Sequence, residues 1–278
     1  MLSIVIPTFN AERFILSTIE CLKDQIDSNF EVILVDKSST DSTIEICEKS
    51  GLPIRIIDAP DLNLPEAINL GMKVSVGEYL CWLNGDDIFV EKNISKLINS
   101  LVEGSDEMPD LLIGDFVTFD ENDRFLNYLS FHSRGSVDLV NTNVFTGAMF
   151  FSRKLWDCFG GFSGNYVLAF EYELLHFCVH ADFKIAHVPD CISGFRIHGG
   201  SLSFNEVKKM TQEARLIERD LGYQTDGKEA DFIISFFEHI FVSGSWLIII
   251  KKMFIRTFRP TAREYLRVFK GGSPWRIL

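Results

Sequence analysis

The first 83 residues alternate short apolar runs with segments of helical period, and that alternation leaves few folds open. Leu2–Pro7 is a run of strand formers closed by proline. Asn10 is placed to cap a helix over residues 11–27, in which Phe14, Ile15, Thr18, Ile19, Leu22 and Ile26 recur at helical spacing. Glu31–Asp36 reads as a second strand, Ser38–Asp41 as a polar turn, Ile44–Lys49 as a helix and Pro53–Ile57 as a third strand. Pro65 suits a first helical turn, the helix runs through Val74, Gly77 stops it, and a fourth strand follows to Leu83. Three β-α units in succession predict a parallel sheet with helices on its faces.

In such sheets ligands bind outside the carboxyl ends of the strands. Here those ends carry Pro7, Thr8, Phe9 and Asn10, then Asp36, then Asp86 and Asp87 behind Asn84 and Gly85. Two adjacent carboxylates repel each other unless a positive charge offsets them. The pair therefore predicts a divalent cation and, with it, an anionic ligand. Neither a G-x-G-x-x-G turn nor a G-x-x-x-x-G-K-[ST] loop follows the first strand, so phosphate is held in another way.

With 278 residues and 46% hydrophobic content the chain is long enough and apolar enough to bury a core. Its six cysteines show no C-x-x-C pair and sit mostly in apolar stretches, as reduced core residues of a cytosolic protein do. The amino terminus reads as the first strand and lacks the basic leader of a signal peptide. The net charge of −12 is unevenly spread. Residues 251–278 hold eight lysines and arginines against the single acid Glu264. So acidic a body excludes nucleic acid as a partner, while a basic tail beside an apolar stretch suits an anionic membrane face.

Five segments, Ile4–Asn10, Val35–Asp41, Asn69–Gly71, Gly77–Tyr79 and Leu83–Asp87, resemble in order and spacing the signatures of family 2 glycosyltransferases of the inverting GT-A type. Phe145–Phe150, Phe170–Leu174 and Phe195–Ser201 are similar to the family's later, acceptor-side segments, so the resemblance covers residues 2–203. Ala59–Gly71 is similar to a segment of members that build bacterial surface polysaccharides. The resemblance implies an α/β chain with a GT-A fold, a Rossmann-like, mostly parallel sheet flanked by helices. Residues 1–203 would be the catalytic domain and residues 204–278 a helical C-terminal appendage. The implied activity is metal-dependent transfer of a sugar from a nucleotide-sugar, UDP first among the candidates, to a glycan or lipid-linked acceptor.

Roles follow residue by residue from that resemblance. Pro7, Thr8 and Asn10 would line the nucleoside pocket, Asp36 would contact the base, Asp86 would hold the ribose or phosphate, and Asp87 would bind Mn2+ or Mg2+. A hard cation takes oxygen ligands from one or two carboxylates and the diphosphate, and neutralises the departing nucleotide. Asn69 would either reach the donor or serve as a capping or packing amide. Glu171 stands where the family usually carries an aspartate base, and Glu173, two residues on, would point to another face of the helix. His198 would complete the metal shell or touch the diphosphate, unless it is structural; Arg196 would neutralise phosphate or form a salt bridge on the sheet edge. Lys37 departs from the acid often found after Asp36 in members, and a lysine cannot accept the imide hydrogen of uracil.

Acceptor contacts are expected between residues 110 and 143, where Asp115, Asp120, Asp123 and His132 stand out. Residues 205–221 read as a polar helix whose buried side is Val207, Met210, Ala214, Ile217 and Leu221. The apolar stretch 232–250 is interrupted by Glu238 and His239, so it reads as an amphipathic segment on the cytoplasmic face of the cell membrane or as a surface packed on the domain or a partner. Two competing readings remain, a non-catalytic sugar-nucleotide binder and a nucleotidyltransferase; the latter normally opens with a basic, glycine-rich loop that Pro7–Asn10 does not provide.

Overall fold

A computed structural model describes residues 1–25, 29–92, 94–103, 109–130 and 144–221. The first half follows the predicted alternation: β1 (Leu2–Thr8), α1 (Ile15–Lys23), β2 (Phe30–Asp36), α2 (Thr43–Glu48), β3 (Ile54–Asp58), α3 (Leu64–Val74) and β4 (Tyr79–Trp82). β1 pairs in parallel with β2 on one side and β4 on the other, and β2 with β3. The register sets Thr8, Asp36 and Asp58 level with one another at the carboxyl edge. The chain winds outward from β1 to β3 and returns to β4 on the other side of β1. This reversal opens a crevice between β1 and β4.

β1 is buried on both faces, which is why its sequence is almost unbroken apolar. Leu2, Ile4 and Ile6 pack with Ile15, Ile19 and Leu22 of α1, while Val5 points the other way toward Ile68 and Met72 of α3. α3 lies so close to β1 that a Cβ on Gly71 would stand 2.4 Å from a Val5 methyl carbon. Its amino end closes with a capping box, Asn63 Oδ1 accepting the Glu66 N–H and Glu66 Oε2 accepting the Asn63 N–H, worth about 1 kcal/mol. At its other end the guanidinium of Arg153 donates to the carbonyls of Met72 and Gly77 and to the Ser75 hydroxyl.

The second half departs from the parallel expectation. β5 (Ile88–Phe89), α4 (Ile94–Glu103), β6 (Leu111–Asp120), β7 (Phe125–Leu129), β8 (Met149–Ser152), α5 (Arg153–Phe159), α6 (Glu171–His180) and β9 (Ile185–Ile197) lead into α7 (Leu202–Asn205) and α8 (Val207–Asp220). The strand order is β3-β2-β1-β4-β8-β6-β9-β5, with β7 paired to β6. β8 runs antiparallel to both β4 and β6, and β5 antiparallel to β9, whereas β6 and β9 are parallel. The sheet is therefore mixed. β5 is bonded to β9 through Ile88 and Gly194, which brings the end of β9 beside the acidic turn that follows β4.

Several local expectations are corrected. α1 begins at Ile15 because Asn10, in a left-handed conformation at φ 47°, turns its side chain across the sheet edge to the Thr40 N–H instead of capping. α3 runs through Val74 as expected, but its C-cap is Ser75, and Gly77 lies in the loop beyond. α8 buries Met210, Ala214 and Ile217 as expected, but Leu221 is exposed. Five of the six free cysteines are buried and Cys158 is exposed. No helix among the described residues is long and apolar enough to cross a membrane. His132, the stretch 232–250 and the basic tail lie outside the described residues.

Candidate active site

The crevice holds a cavity of about 780 Å³, lined by the ends of β1 and β4, the turn after β9 and the start of α6. Pro7, Thr8, Phe9 and Asn10 all contribute to it. Phe9, 59% exposed, is an aromatic face open to solvent at the cavity, which the sequence gives no separate reason to single out. Thr8 donates its hydroxyl to Asp36 Oδ1 at 2.7 Å. That carboxylate also accepts the Ser39 hydroxyl and the Ser39 N–H, both at 2.6 Å. Asp36 is buried and engaged in bracing the two strand ends, and it does not line the cavity as a base contact would. Lys37 lines it instead.

The two acids after β4 go different ways. Asp86 lines the cavity, and its Oδ2 lies 2.9 Å from His198 Nε2. Asp87 is 0% exposed, with Oδ1 accepting the Arg196 N–H and Oδ2 the Asn84 side-chain amide, each at 2.9 Å. Burial, then the neighbouring Asp86 charge, pushes the Asp87 carboxyl well above the usual range, against the pull of those two hydrogen bonds and of the Arg196 charge. The expectation that Asp87 binds the metal is thus corrected: its carboxyl is spent inside the protein, and Asp86 is the acid that faces the crevice.

His198 rests its ring on Phe14, with centroids 4.5 Å apart, and accepts the Gly200 N–H at Nδ1 over 3.1 Å. A neutral imidazole accepting at Nδ1 carries its proton on Nε2, so His198 donates toward Asp86 and orients that carboxylate. Of the two readings of Arg196, the structure shows the salt bridge, to Asp123, and the side chain does not line the cavity. Its guanidinium is 2% exposed, lies between Phe14 and Phe119 at 4.8 and 4.4 Å, and donates to the Asp86 carbonyl, Asp123 Oδ1 and the Ser17 hydroxyl.

Glu171 lines the cavity from the first turn of α6. Burial, followed by the charge of Glu213 on α8, raises its pKa to about 7, partly offset by its own backbone N–H. Glu173 turns away, accepting the Ser163 N–H. Asn69 takes the packing role: its side-chain amide donates to the Phe162 carbonyl and accepts the Phe162 N–H, beside Gly161 at φ 94°. The donor-contact alternative for Asn69 is set aside, since both ends of the amide are occupied away from the cavity. Of the acids expected at the acceptor, Asp115 is buried against Tyr128, Ser130 and His187, Asp120 closes the β6–β7 turn, and Asp123 pairs with Arg196.

The fold and cavity are those of an α/β enzyme that binds its ligand at the carboxyl edge of the sheet. Residues 3–171 match glycosyl transferase family 2, and the chain belongs to that family and is a glycosyltransferase. It is similar to the amylovoran biosynthesis glycosyltransferase AmsB of Erwinia amylovora, at 25% identity over 87% of this chain and 91% of AmsB. It is also similar to glycosyltransferase GlyG of Streptococcus pneumoniae, at 31% identity over 44% of this chain; the match spans 41% of GlyG. Among solved structures, S. aureus TarS 1-349 in complex with UDP-GlcNAc matches with a TM-score of 0.60 at 19% identity, over 88% of this chain and 73% of that one. The mannosyltransferase PcManGT from Pyrobaculum calidifontis, in complex with GDP-Man and Mn2+, matches with a TM-score of 0.60 at 12% identity, over 99% and 82%. These likenesses establish a GT-A fold.

Proposed function

We propose that the chain transfers a sugar from a UDP-sugar to a hydroxyl of a glycan or lipid-linked acceptor, with inversion at the anomeric carbon, in the assembly of a surface polysaccharide. The observation that carries this reading is the pairing, in one cavity, of the Asp86 carboxylate with a Glu171 poised at about pH 7. Glu171 in its ionised form takes the proton of the acceptor hydroxyl as that oxygen attacks the anomeric carbon from the face opposite the nucleotide. A base with a pKa near 7 is half ionised at neutral pH and still accepts a proton readily. Phe9 offers the nucleobase a stacking face, Thr8 and Asn10 border the nucleoside, and Lys37 supplies a donor to a base carbonyl.

A divalent ion fits Asp86. No cluster of three or more His, Cys, Asp or Glu side chains suited to a metal exists among the described residues. One carboxylate is nonetheless enough for Mg2+ or Mn2+ when the donor's diphosphate and water fill the remaining positions. When bound, such an ion offsets the negative charge that builds on the departing nucleoside diphosphate. His198, donating to Asp86, keeps that carboxylate facing the site. The relatives' names support the polysaccharide setting, and the UDP-GlcNAc and GDP-Man held by the two structural neighbours support a nucleotide-sugar donor. The basic, apolar carboxyl-terminal stretch would keep the enzyme at the cytoplasmic membrane face, which flotation with anionic vesicles tests.

A thermal-shift screen of UDP-, GDP-, CDP- and dTDP-sugars with and without manganese tests the reading, because a ligand that binds only the folded state raises its melting temperature. A manganese-dependent rise with a UDP-sugar, together with slow release of free sugar, is expected. Indifference to all four nucleotide classes would sink it. Binding with no turnover of any donor would favour the non-catalytic binder.

A further inference from the structure

Downstream of the matched family segment, which ends at Glu171, α8 carries an unusual contact. One oxygen of Glu213, Oε2, accepts the backbone N–H groups of Val167, Leu168 and Ala169 at 2.9, 2.7 and 3.1 Å. Three consecutive amides converging on one anionic oxygen fix the path of the backbone. That backbone leads at once into Phe170, the N-cap of α6, and Glu171, its first residue. The same segment is held on both sides of the contact. Tyr166 donates its hydroxyl to Asp220 Oδ2 at 2.7 Å, and the fully buried Ala169 packs with Met210, Ala214 and Ile217. Residues 213 and 214 each lie three or four from 210 and 217, and 220 lies three beyond 217, so one face of α8 makes all of these contacts.

We propose that Glu213 is a positioning residue, which gathers the amides of residues 167–169 and thereby sets where the Glu171 carboxyl stands in the cavity. This rests on the reading of Glu171 as the base. Packing alone would need only the apolar side of α8; a carboxylate that collects three amides specifies a loop geometry. The same charge also reaches Glu171: among the described residues, Glu213 is the charged side chain that shifts the Glu171 carboxyl, acting with burial and against the residue's own N–H. Glu213 thus places the base and tunes it.

The test compares Glu213→Gln, Glu213→Ala, Tyr166→Phe and Glu171→Gln in the full chain. Each is measured for UDP affinity with manganese, for kcat with the UDP-sugar that the donor screen selects, and for the pH profile of kcat. Glu213→Gln keeps an acceptor oxygen but removes the charge. The acid limb of its kcat profile is expected to move to lower pH, because a neutral neighbour no longer resists ionisation of Glu171. Glu213→Ala is expected to lower kcat by about tenfold or more, with UDP affinity within about twofold of wild type. Tyr166→Phe loosens the same segment without changing charge and should leave the acid limb in place. Unchanged kcat per folded molecule in Glu213→Ala, or an unmoved acid limb in Glu213→Gln, would overturn the proposal, and the glutamine variant decides the matter if Glu213→Ala does not fold. Turnover surviving in Glu171→Gln would instead refute the base assignment itself.

Discussion

Replacing Arg196 with methionine isolates what holds the acidic turn in place. Methionine fills much of the volume between Phe14 and Phe119, so the loss falls on the guanidinium and its partners. Those partners are the Asp86 carbonyl at 2.9 Å, the Ser17 hydroxyl at 3.0 Å and the Asp123 carboxylate at 2.6 Å. Removing one member of a buried ion pair costs about 3–5 kcal/mol, and each lost cation–π contact about 0.5–2 kcal/mol. Asp123 is a quarter exposed, and water relieves part of its isolation. A net loss of about 3–5 kcal/mol is therefore expected, which for a chain of this size lowers Tm by about 6–20 °C. The Asp86 carbonyl also loses its anchor, so manganese-dependent UDP binding should weaken by about tenfold. Urea denaturation and isothermal titration measure the two effects. An Arg196→Met variant that melts within about 3 °C of wild type and binds UDP as tightly would refute the argument that this buried cation organises the turn.

Asp86 and Asp87 should separate cleanly. Asp86→Asn is expected to abolish manganese-dependent UDP binding at near-wild-type stability, whereas Asp87→Asn should cost about 1–3 kcal/mol, since an amide offers a donor to one of the two N–H groups that Asp87 accepts; denaturation and binding curves for both variants decide it. Glu171→Gln should remove turnover while stabilising the fold at pH 8 by about 1–3 kcal/mol. The sign follows from the raised pKa: a carboxyl at about 7 when folded and 4.5 when unfolded binds its proton more tightly in the native state. Its stabilising contribution is complete below pH 4.5 and is lost as the pH rises through 7, so the glutamine's advantage should disappear in acid. For the wild type, kcat should fall as the pH drops below about 7, where the base becomes protonated; a flat profile down to pH 5 would exclude Glu171 as the base.

The amino-acid sequence alone determined the half of the molecule whose order is local. Apolar runs such as Leu2–Thr8, the helical period of Ile15, Ile19 and Leu22 and the first-turn Pro65 each depend on residues a few positions apart, so four parallel strands and their polar ends were legible. That Glu171 and Glu173 part company, one lining the cavity and the other turned to Ser163, was legible too, because helical pitch sends the two to different faces. Tertiary structure alone decided the rest. Asp86 and Asp87 are chemically alike and adjacent, and what divides them is the end of β9, more than 100 residues away, where Arg196 and His198 take one carboxylate each through a main-chain N–H and an imidazole. Asp36, Asn69 and Asp123 were drawn inward by partners 28, 93 and 73 residues away, Thr8, Phe162 and Arg196. Whether a polar side chain meets a ligand or a neighbour depends on which hydrogen-bond partners the folded chain brings within 3 Å of it, and local pattern carries no record of those.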